Sequence, residues 1–366
     1  MSADRAEPRV LLLTCGPLDG PETPGTELAR ELLLTVPDVE YAWFRRWWGR
    51  ARNAGDAPGG QSVSVVSREG APSAAVRLQI LAAAALSARR AGLVHAVLPV
   101  GPGFAAFSRL WPRVAGSRPV LHTVPAAVDP AALAGCRPLG RTVALSEATA
   151  QQLTKAGFGP VRVVNPSVRL DLWPVRRRQE RTPPMVLAIG DGGTEEAMLS
   201  AGVAARAGAD FQLVLALAED GPGGAEGPRP PEDLLRGIAA REGLLDMEVL
   251  RHVGDLPGLL AAADVLLYVP RRMTGRADVP PMVLRALATG RPVILSDLPQ
   301  FSALSDTVLR TPAADPHHTG HLLRQLLDRP WWWDRVAERG RATADARFGA
   351  GRSAAAYTRL YRELLG

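Results

Sequence analysis

The strongest constraint on this chain is an alternation that it runs through twice. Short apolar runs of strand length alternate with stretches of helical period. In the first half the candidate strands are Arg9–Thr14, Tyr41–Arg45, Ser62–Ser67, Leu93–Leu98, Val120–Thr123, Thr142–Leu145 and Val161–Val164. Between them lie a helix running from the Gly/Pro loop that ends at Gly25 through Leu34, an Ala/Leu helix over Ala74–Ala91 with Ser73 as its cap, and a helix from Ser146 to Gly157. Trp173–Pro184, with Arg176, Arg177, Arg178 and three prolines, reads as a linker. The pattern then restarts with strands at Met185–Ile189, Phe211–Leu217, Met247–Leu250, Val265–Val269 and Pro292–Ser296, a flexible loop at Glu219–Pro231, and a helical close over Pro316–Leu365. Helices between consecutive strands make crossover connections, and crossovers make parallel sheets. The expectation is two doubly wound α/β domains with a ligand cleft at the carboxyl ends of the strands.

Length agrees, since 366 residues suit two domains of roughly 100–200 residues each. Cys15 and Cys136 are the only cysteines, with no CxxC and no Cys/His cluster. That excludes a disulfide scaffold and a zinc module and fits a reducing compartment. The longest apolar runs, Leu78–Leu86 and Leu259–Val269, are interrupted by Gln79 and Asp264. They fall short of the roughly 18 residues of a membrane span, so a soluble or peripheral, cytoplasmic protein is expected. Lys155 is the only lysine beside 42 arginines, a bias typical of a GC-rich genome. The net charge of +6 resides in residues 1–174, which carry 19 basic and 13 acidic side chains; residues 175–366 carry 24 of each.

Several segments carry a more specific signal. Val143-Ala-Leu-Ser-Glu-Ala-Thr is followed by Val163-Val-Asn-Pro-Ser-Val, then Met185-Val-Leu-Ala-Ile-Gly, His252-Val-Gly-Asp-Leu and Ala263-Asp-Val-Leu-Leu-Tyr-Val-Pro. Arg285-Ala-Leu-Ala-Thr-Gly-Arg-Pro-Val-Ile is the most specific, and Arg347-Phe to Tyr361-Arg-Glu-Leu-Leu closes the chain. In order and spacing these resemble the GT-B glycosyltransferases, specifically the retaining, nucleotide-sugar type called family 4. The resemblance implies two Rossmann-like domains facing a central cleft. An acceptor-side domain would span 1–174, a donor-side domain 175–345, and a terminal helix, 346–366, would return to the first. It implies sugar transfer from a nucleotide-sugar donor, a co-substrate rather than a cofactor, to an acceptor that some family members meet as a lipid-linked molecule. The resemblance also brings in a partner glycosyltransferase as an expected partner. The alternative is a catalytically inactive GT-B protein acting as a binding or scaffolding subunit; a nucleotide-sugar epimerase on the same architecture fits the tail and spacing less well.

The family's active-site signatures are altered. Where the family has two glutamates that contact the donor sugar and ribose, this chain has Ala277 and Arg285, with Asp278 one residue off. Guanidinium only donates hydrogen bonds and cannot replace a carboxylate acceptor. Where the family has an Arg and a Lys for the diphosphate, this chain has Asp191-Gly-Gly-Thr-Glu-Glu. Pro125 stands in place of a first-domain histidine, and Ser167-Val168-Arg169 in place of Gly-Val-Asp.

On the donor side the candidates are Gly190, Gly192, Gly193, Thr194, Arg276, Asp278 and Arg285. A glycine turn opening a helix presents backbone N–H groups to phosphate; the alternative is a tight strand-to-helix turn with Thr194 as N-cap and Glu195 and Glu196 complementing the dipole. Arg271, Arg272, Arg276 and Arg285 would grip phosphates in place of the missing basic pair, or lie solvated on a loop. On the acceptor side the candidates are Gly25, Thr26 and His122, the alternative being a helix start capped by Thr26. Residues 43–52 interleave four aromatics, with Trp43, Trp47 and Trp48 among them, with Arg45, Arg46, Arg50 and Arg52 and no acid. That composition suits an anionic membrane surface at the inner face of the plasma membrane, or a loop packed on the first domain. No nucleic-acid motif accompanies it, and no metal-ligand spacing occurs. His95 and His122 fall on candidate buried strands, His317 and His318 at a helix start, and Trp331, Trp332 and Trp333 are expected to pack the terminal helices.

Overall fold

The computed structural model describes residues 10–14, 24–36, 39–46 and 60–65 (of 40–46 and 60–65 the backbone only), 82, 88, 91–101, 103–114, 116–178, 181–189, 193–217, 232–244, 246–251 and 253–366. Outside these lie Gly190, Gly192, Trp47, Trp48, Arg50, Arg52, the loop 219–231 and most of the segment 73–91. The chain divides into two compact units, Met1–Pro166 with Ala350–Gly366, and Ser167–Gly349.

The first unit is built on seven parallel strands: β1 (Val10–Thr14), β2 (Val39–Arg46), β3 (Gly60–Val65), β4 (Leu93–Val97), β5 (Val120–Val124), β6 (Arg141–Ala144) and β7 (Arg162–Val163). Their order is β3-β2-β1-β4-β5-β6-β7. Val10 of β1 pairs with Val39 on one side and Leu93 on the other. Every residue of β1, β4 and β5 is buried, because helices cover both faces and a parallel strand then reads as one apolar run. Successive side chains still part to opposite faces. Leu11 and Leu13 join Val94, Ala96, Phe104 and Trp111. Val10 and Leu12 join Leu28 and Leu32 of helix α1 (Pro24–Thr35).

The second face is closed by the chain's last helix. Helix α2 spans Phe104–Val114 and α3 spans Glu147–Lys155. Ser146 caps α3 as expected, its Oγ accepting from the Thr149 N–H at 3.1 Å. The final helix, Ala350–Leu365, places Tyr357, Leu360 and Tyr361 in the same core cluster as Leu12 and Leu93. A buried polar relay ties it down. His95 Nδ1 lies 2.7 Å from the Tyr361 hydroxyl and Nε2 lies 2.8 Å from Thr123 Oγ1, which donates to the Tyr357 oxygen at 3.3 Å. Since the Thr123 hydroxyl proton goes to Tyr357, His95 Nε2–H donates to Thr123 and Nδ1 accepts from Tyr361. The imidazole is therefore neutral, and burial pushes it down to about 3.

The second unit repeats the plan with six parallel strands: β8 (Met185–Ile189), β9 (Gln212–Ala216), β10 (Met247–Leu250), β11 (Val265–Tyr268), β12 (Val293–Ser296) and β13 (Leu309–Thr311). The order β10-β9-β8-β11-β12-β13 reverses direction between β8 and β11. Its helices are α4 (Thr194–Arg206), α5 (Glu232–Glu242), α6 (Leu256–Ala262), α7 (Pro281–Ala288), α8 (Pro316–Asp328) and α9 (Pro330–Phe348), so that the final helix is α10. A Cβ at Gly320 of α8 would stand 2.6 Å from the Ser200 carbonyl oxygen of α4, so these helices pack backbone to backbone. His317 and His318 are exposed at the start of α8. The three adjacent tryptophans do not behave alike: Trp333 is buried and Trp332 packs against the core, but Trp331 is 63% exposed. A helix turns about 100° per residue, so three neighbours cannot all face one core.

Candidate functional site

A doubly wound sheet binds ligands where its strand order reverses, at the carboxyl ends of the strands. In the second unit that point lies between β8 and β11. Gly193 is the N-cap of α4, with φ −135° and no side-chain capping bond. Thr194 is therefore the first helical residue and not the cap, a correction to the capping expectation. A Cβ on Gly193 would meet the Pro270 nitrogen and Val269 carbonyl carbon at 2.9 Å. Backbone rests on backbone there, so glycine is needed for close approach. It clamps the amino terminus of α4 against the segment that follows β11.

That terminus carries orphan N–H groups and the positive end of the helix dipole. The chain supplies its own anion. Glu196, in the first turn of α4, is only 7% exposed and forms an ion pair with Arg271 of the segment after β11. Arg271 itself stays 62% exposed, a loop cation tied to a nearly buried carboxylate. Further along, the Arg276 Nη1 donates to the Arg272 carbonyl at 2.7 Å and closes the loop on itself. Asp278 belongs to the same loop but is fully buried. Its carboxylate lies below the solvent surface of the loop. Arg285, on α7, is half-buried with its guanidinium 5.3 Å from the ring centre of Trp173. A cation over an aromatic face is held there by the ring quadrupole. The structure therefore joins Gly193, Thr194, Glu196 and Arg271, while Arg285 is engaged with the linker.

In the first unit the reversal lies between β1 and β4. A Cβ on Gly25 would lie 3.4 Å from the Val97 carbonyl oxygen and 3.6 Å from Pro125 Cγ, so Gly25 sits over the carboxyl ends of β4 and β5. Helix α1 begins at Pro24, which places Thr26 inside the first turn, buried and not capping. His122 is fully buried, stacked on Phe104 at 5.1 Å, with Nε2–H donating to the Leu98 carbonyl at 3.0 Å. Burial pushes it down to about 4, partly opposed by that carbonyl. It packs in the interior of the first unit.

Residues 43–46 are not loop. They lie in β2, an interior strand whose Trp43 pairs with Thr14 on one side and Ser62 on the other. The remainder of the aromatic–arginine stretch lies outside the described residues. Among the described residues no helix is long and apolar enough to cross a membrane, and no group of three His, Cys, Asp or Glu side chains could hold a metal.

Two clusters escape a reading of the sequence. One is the Glu196–Arg271 pair. The other surrounds Asp264, 2% exposed just before β11. An acid interrupting the apolar run 259–269 was its signal, since a buried carboxylate needs partners.

No protein-family model matches the sequence, and no curated protein matches it. Solved structures do match over nearly the whole chain. A sucrose-phosphate synthase from Thermosynechococcus elongatus shares 17% identity at a TM-score of 0.77, covering 97% of this chain and 99% of the other. HepE of Anabaena, solved with UDP-glucose, shares 13% at 0.74, covering 97% and 100%. A UDP-forming α,α-trehalose-phosphate synthase from Burkholderia vietnamiensis shares 11% at 0.71, again covering 97% and 100%. At such identities the likeness is one of fold: two parallel-sheet α/β domains of the GT-B glycosyltransferase type.

Proposed function

We propose that this chain is a glycosyltransferase of the retaining, nucleotide-sugar type resembling family 4, with a rebuilt donor site. One observation carries the reading: the amino terminus of α4 is held against Arg271 at the strand reversal of the second unit. In sugar transfer from a nucleotide donor, negative charge accumulates on the departing diphosphate. Preorganised donors aimed at that charge supply most of the catalysis, roughly 10²–10³ in rate for one such donor. Here the N–H groups of α4 and the Arg271 guanidinium are those donors, with Arg276 a further cation on the same loop. Glu196 is the resting counter-ion of Arg271. A diphosphate takes over that guanidinium and displaces the carboxylate, so the chain's own acid competes with the ligand. The acceptor side is drawn from the Gly25 edge of the first unit, with a lipid-linked acceptor as the proposed class.

The test is calorimetric titration of nucleoside diphosphates and nucleotide sugars. Binding that disappears in Arg271→Ala supports the reading. Binding that is indifferent to Arg271 contradicts it. The Glu196–Arg271 pair itself favours a second reading, an inactive scaffold whose anion site is permanently filled. That reading expects no nucleotide binding even in Glu196→Gln.

A further inference from the structure

The amino-terminal edge of the second sheet holds a different concentration of charge. Asp264 precedes β11 and reaches β8, its Oδ2 accepting from the Met185 N–H at 2.8 Å and its Oδ1 from Arg178 Nε at 2.7 Å. Its carbonyl accepts from the Trp333 indole at 2.7 Å. Two guanidinium groups lie near the Trp333 ring, Arg178 at 5.3 Å and Arg291 at 5.8 Å from its centre. Arg291 is 1% exposed. Its Nη2 donates to the carbonyls of Arg176 and Arg177 at 2.9 and 3.2 Å, but its Nε and Nη1 have no hydrogen-bond partner. Arg178 thus pairs with the Asp264 carboxylate, and the buried Arg291 feels the charge of both without a hydrogen bond to either. A buried charge without full compensation is costly.

Against this cluster lies a groove of about 600 Å³, lined by Arg176, Arg177, Arg178, Arg341, Asp334 and Glu338 together with Trp333 and small apolar residues. Its volume suits a small ligand. The backbone that presents Arg176 and Arg177 is fixed from both directions. The Arg176 N–H donates to the Thr289 carbonyl at 3.3 Å, and Arg291 holds the two carbonyls. The side chains of Arg176 and Arg177 are exposed, and two adjacent forks suit the oxygens of a phosphate.

We propose that this groove binds a small soluble phosphomonoester, its phosphate on Arg176 and Arg177 above the surplus charge of Arg178 and Arg291. The dianion compensates that surplus. Asp334 and Glu338, on the rim, oppose it by like charge and accept hydrogen bonds from ligand hydroxyls. The site is independent of the proposed donor site, which belongs to the carboxyl ends of the same strands.

The experiment is calorimetric titration of the full chain with glycerol phosphate, against chloride at matched ionic strength. Saturable binding is expected. The double variant Arg176→Ala/Arg177→Ala, which alters exposed side chains, weakens it by about tenfold or more. The double variant Asp334→Asn/Glu338→Gln strengthens it a few-fold. Arg271→Ala leaves it unchanged. Absent binding overturns the proposal, and so does binding that survives the arginine double variant or depends on Arg271. Phosphatidate vesicles provide the other arm: pelleting with them through Arg176 and Arg177, without glycerol phosphate binding, assigns a lipid headgroup and overturns a soluble ligand.

Discussion

Acidification should loosen the first unit well before its carboxylates titrate. His95 and His122 are both fully buried, and their pKa values are pushed down to about 3 and about 4 from an ordinary value of 6.5. In the unfolded chain both take up protons near 6.5. A histidine whose folded value is depressed contributes stability that is complete above the unfolded value and declines as pH falls towards the folded one. At pH 5 the unfolded state gains about 2 kcal/mol per histidine from protonation, at about 1.4 kcal/mol per pH unit. The folded state gains almost nothing, so about 4 kcal/mol is lost between pH 7.5 and pH 5. That is a large part of the roughly 5–15 kcal/mol that a domain has. Guanidinium unfolding, read by hydrogen exchange in peptides covering Leu93–Val97 and Ala350–Leu365, isolates the first unit. His122→Phe should cut the pH dependence by about half, since a phenyl ring keeps the stack on Phe104 and cannot protonate. Stability that stays within about 1 kcal/mol across the window would refute the neutral, buried assignment of both rings.

Three further outcomes follow from individual contacts. Tyr361→Phe leaves His95 Nδ1 an unsatisfied buried acceptor and should destabilise the docking of α10 by about 1–3 kcal/mol, seen as faster exchange in α10 and not in α4. Gly193→Ala drives a methyl into the Val269–Pro270 backbone at 2.9 Å and should cost the second unit about 1–3 kcal/mol, measured as a lowered unfolding midpoint; an unchanged midpoint contradicts the clamp. If residues 43–52 act at an anionic membrane, neutralising Arg50 and Arg52 should reduce sedimentation with anionic vesicles, and unchanged pelleting removes that role.

Much of the fold was legible because parallel strands covered on both faces must be apolar throughout, and β1, β4, β8 and β11 announce themselves that way. Strand β13 did not, because it has three residues with Arg310 in the middle. Helix α2 is obscured by Pro112 in its last turn. The site was less legible because its chemistry is tertiary. Glu196 and Arg271 lie far apart in sequence, and nothing local pairs them. His122 looked like a cleft residue because strand alternation cannot say which face is roofed by Phe104. Asp278 carries a charge near the expected place, and its complete burial is not readable from a loop sequence. Asp264 left a trace, an acid within an apolar run, but its partner Arg178 lies 86 residues away and nothing local names it.

In the proposed function, the strand reversal of the second unit binds a nucleoside diphosphate and Glu196 holds its cation, Arg271, at rest. The most direct measurement is the affinity for uridine diphosphate in the native chain, in Glu196→Gln and in Arg271→Ala. Glu196→Gln should bind about tenfold or more tightly than the native chain, because a charged competitor for Arg271 is gone, and Arg271→Ala should bind least. Equal affinity in all three, or no binding in any, would contradict it.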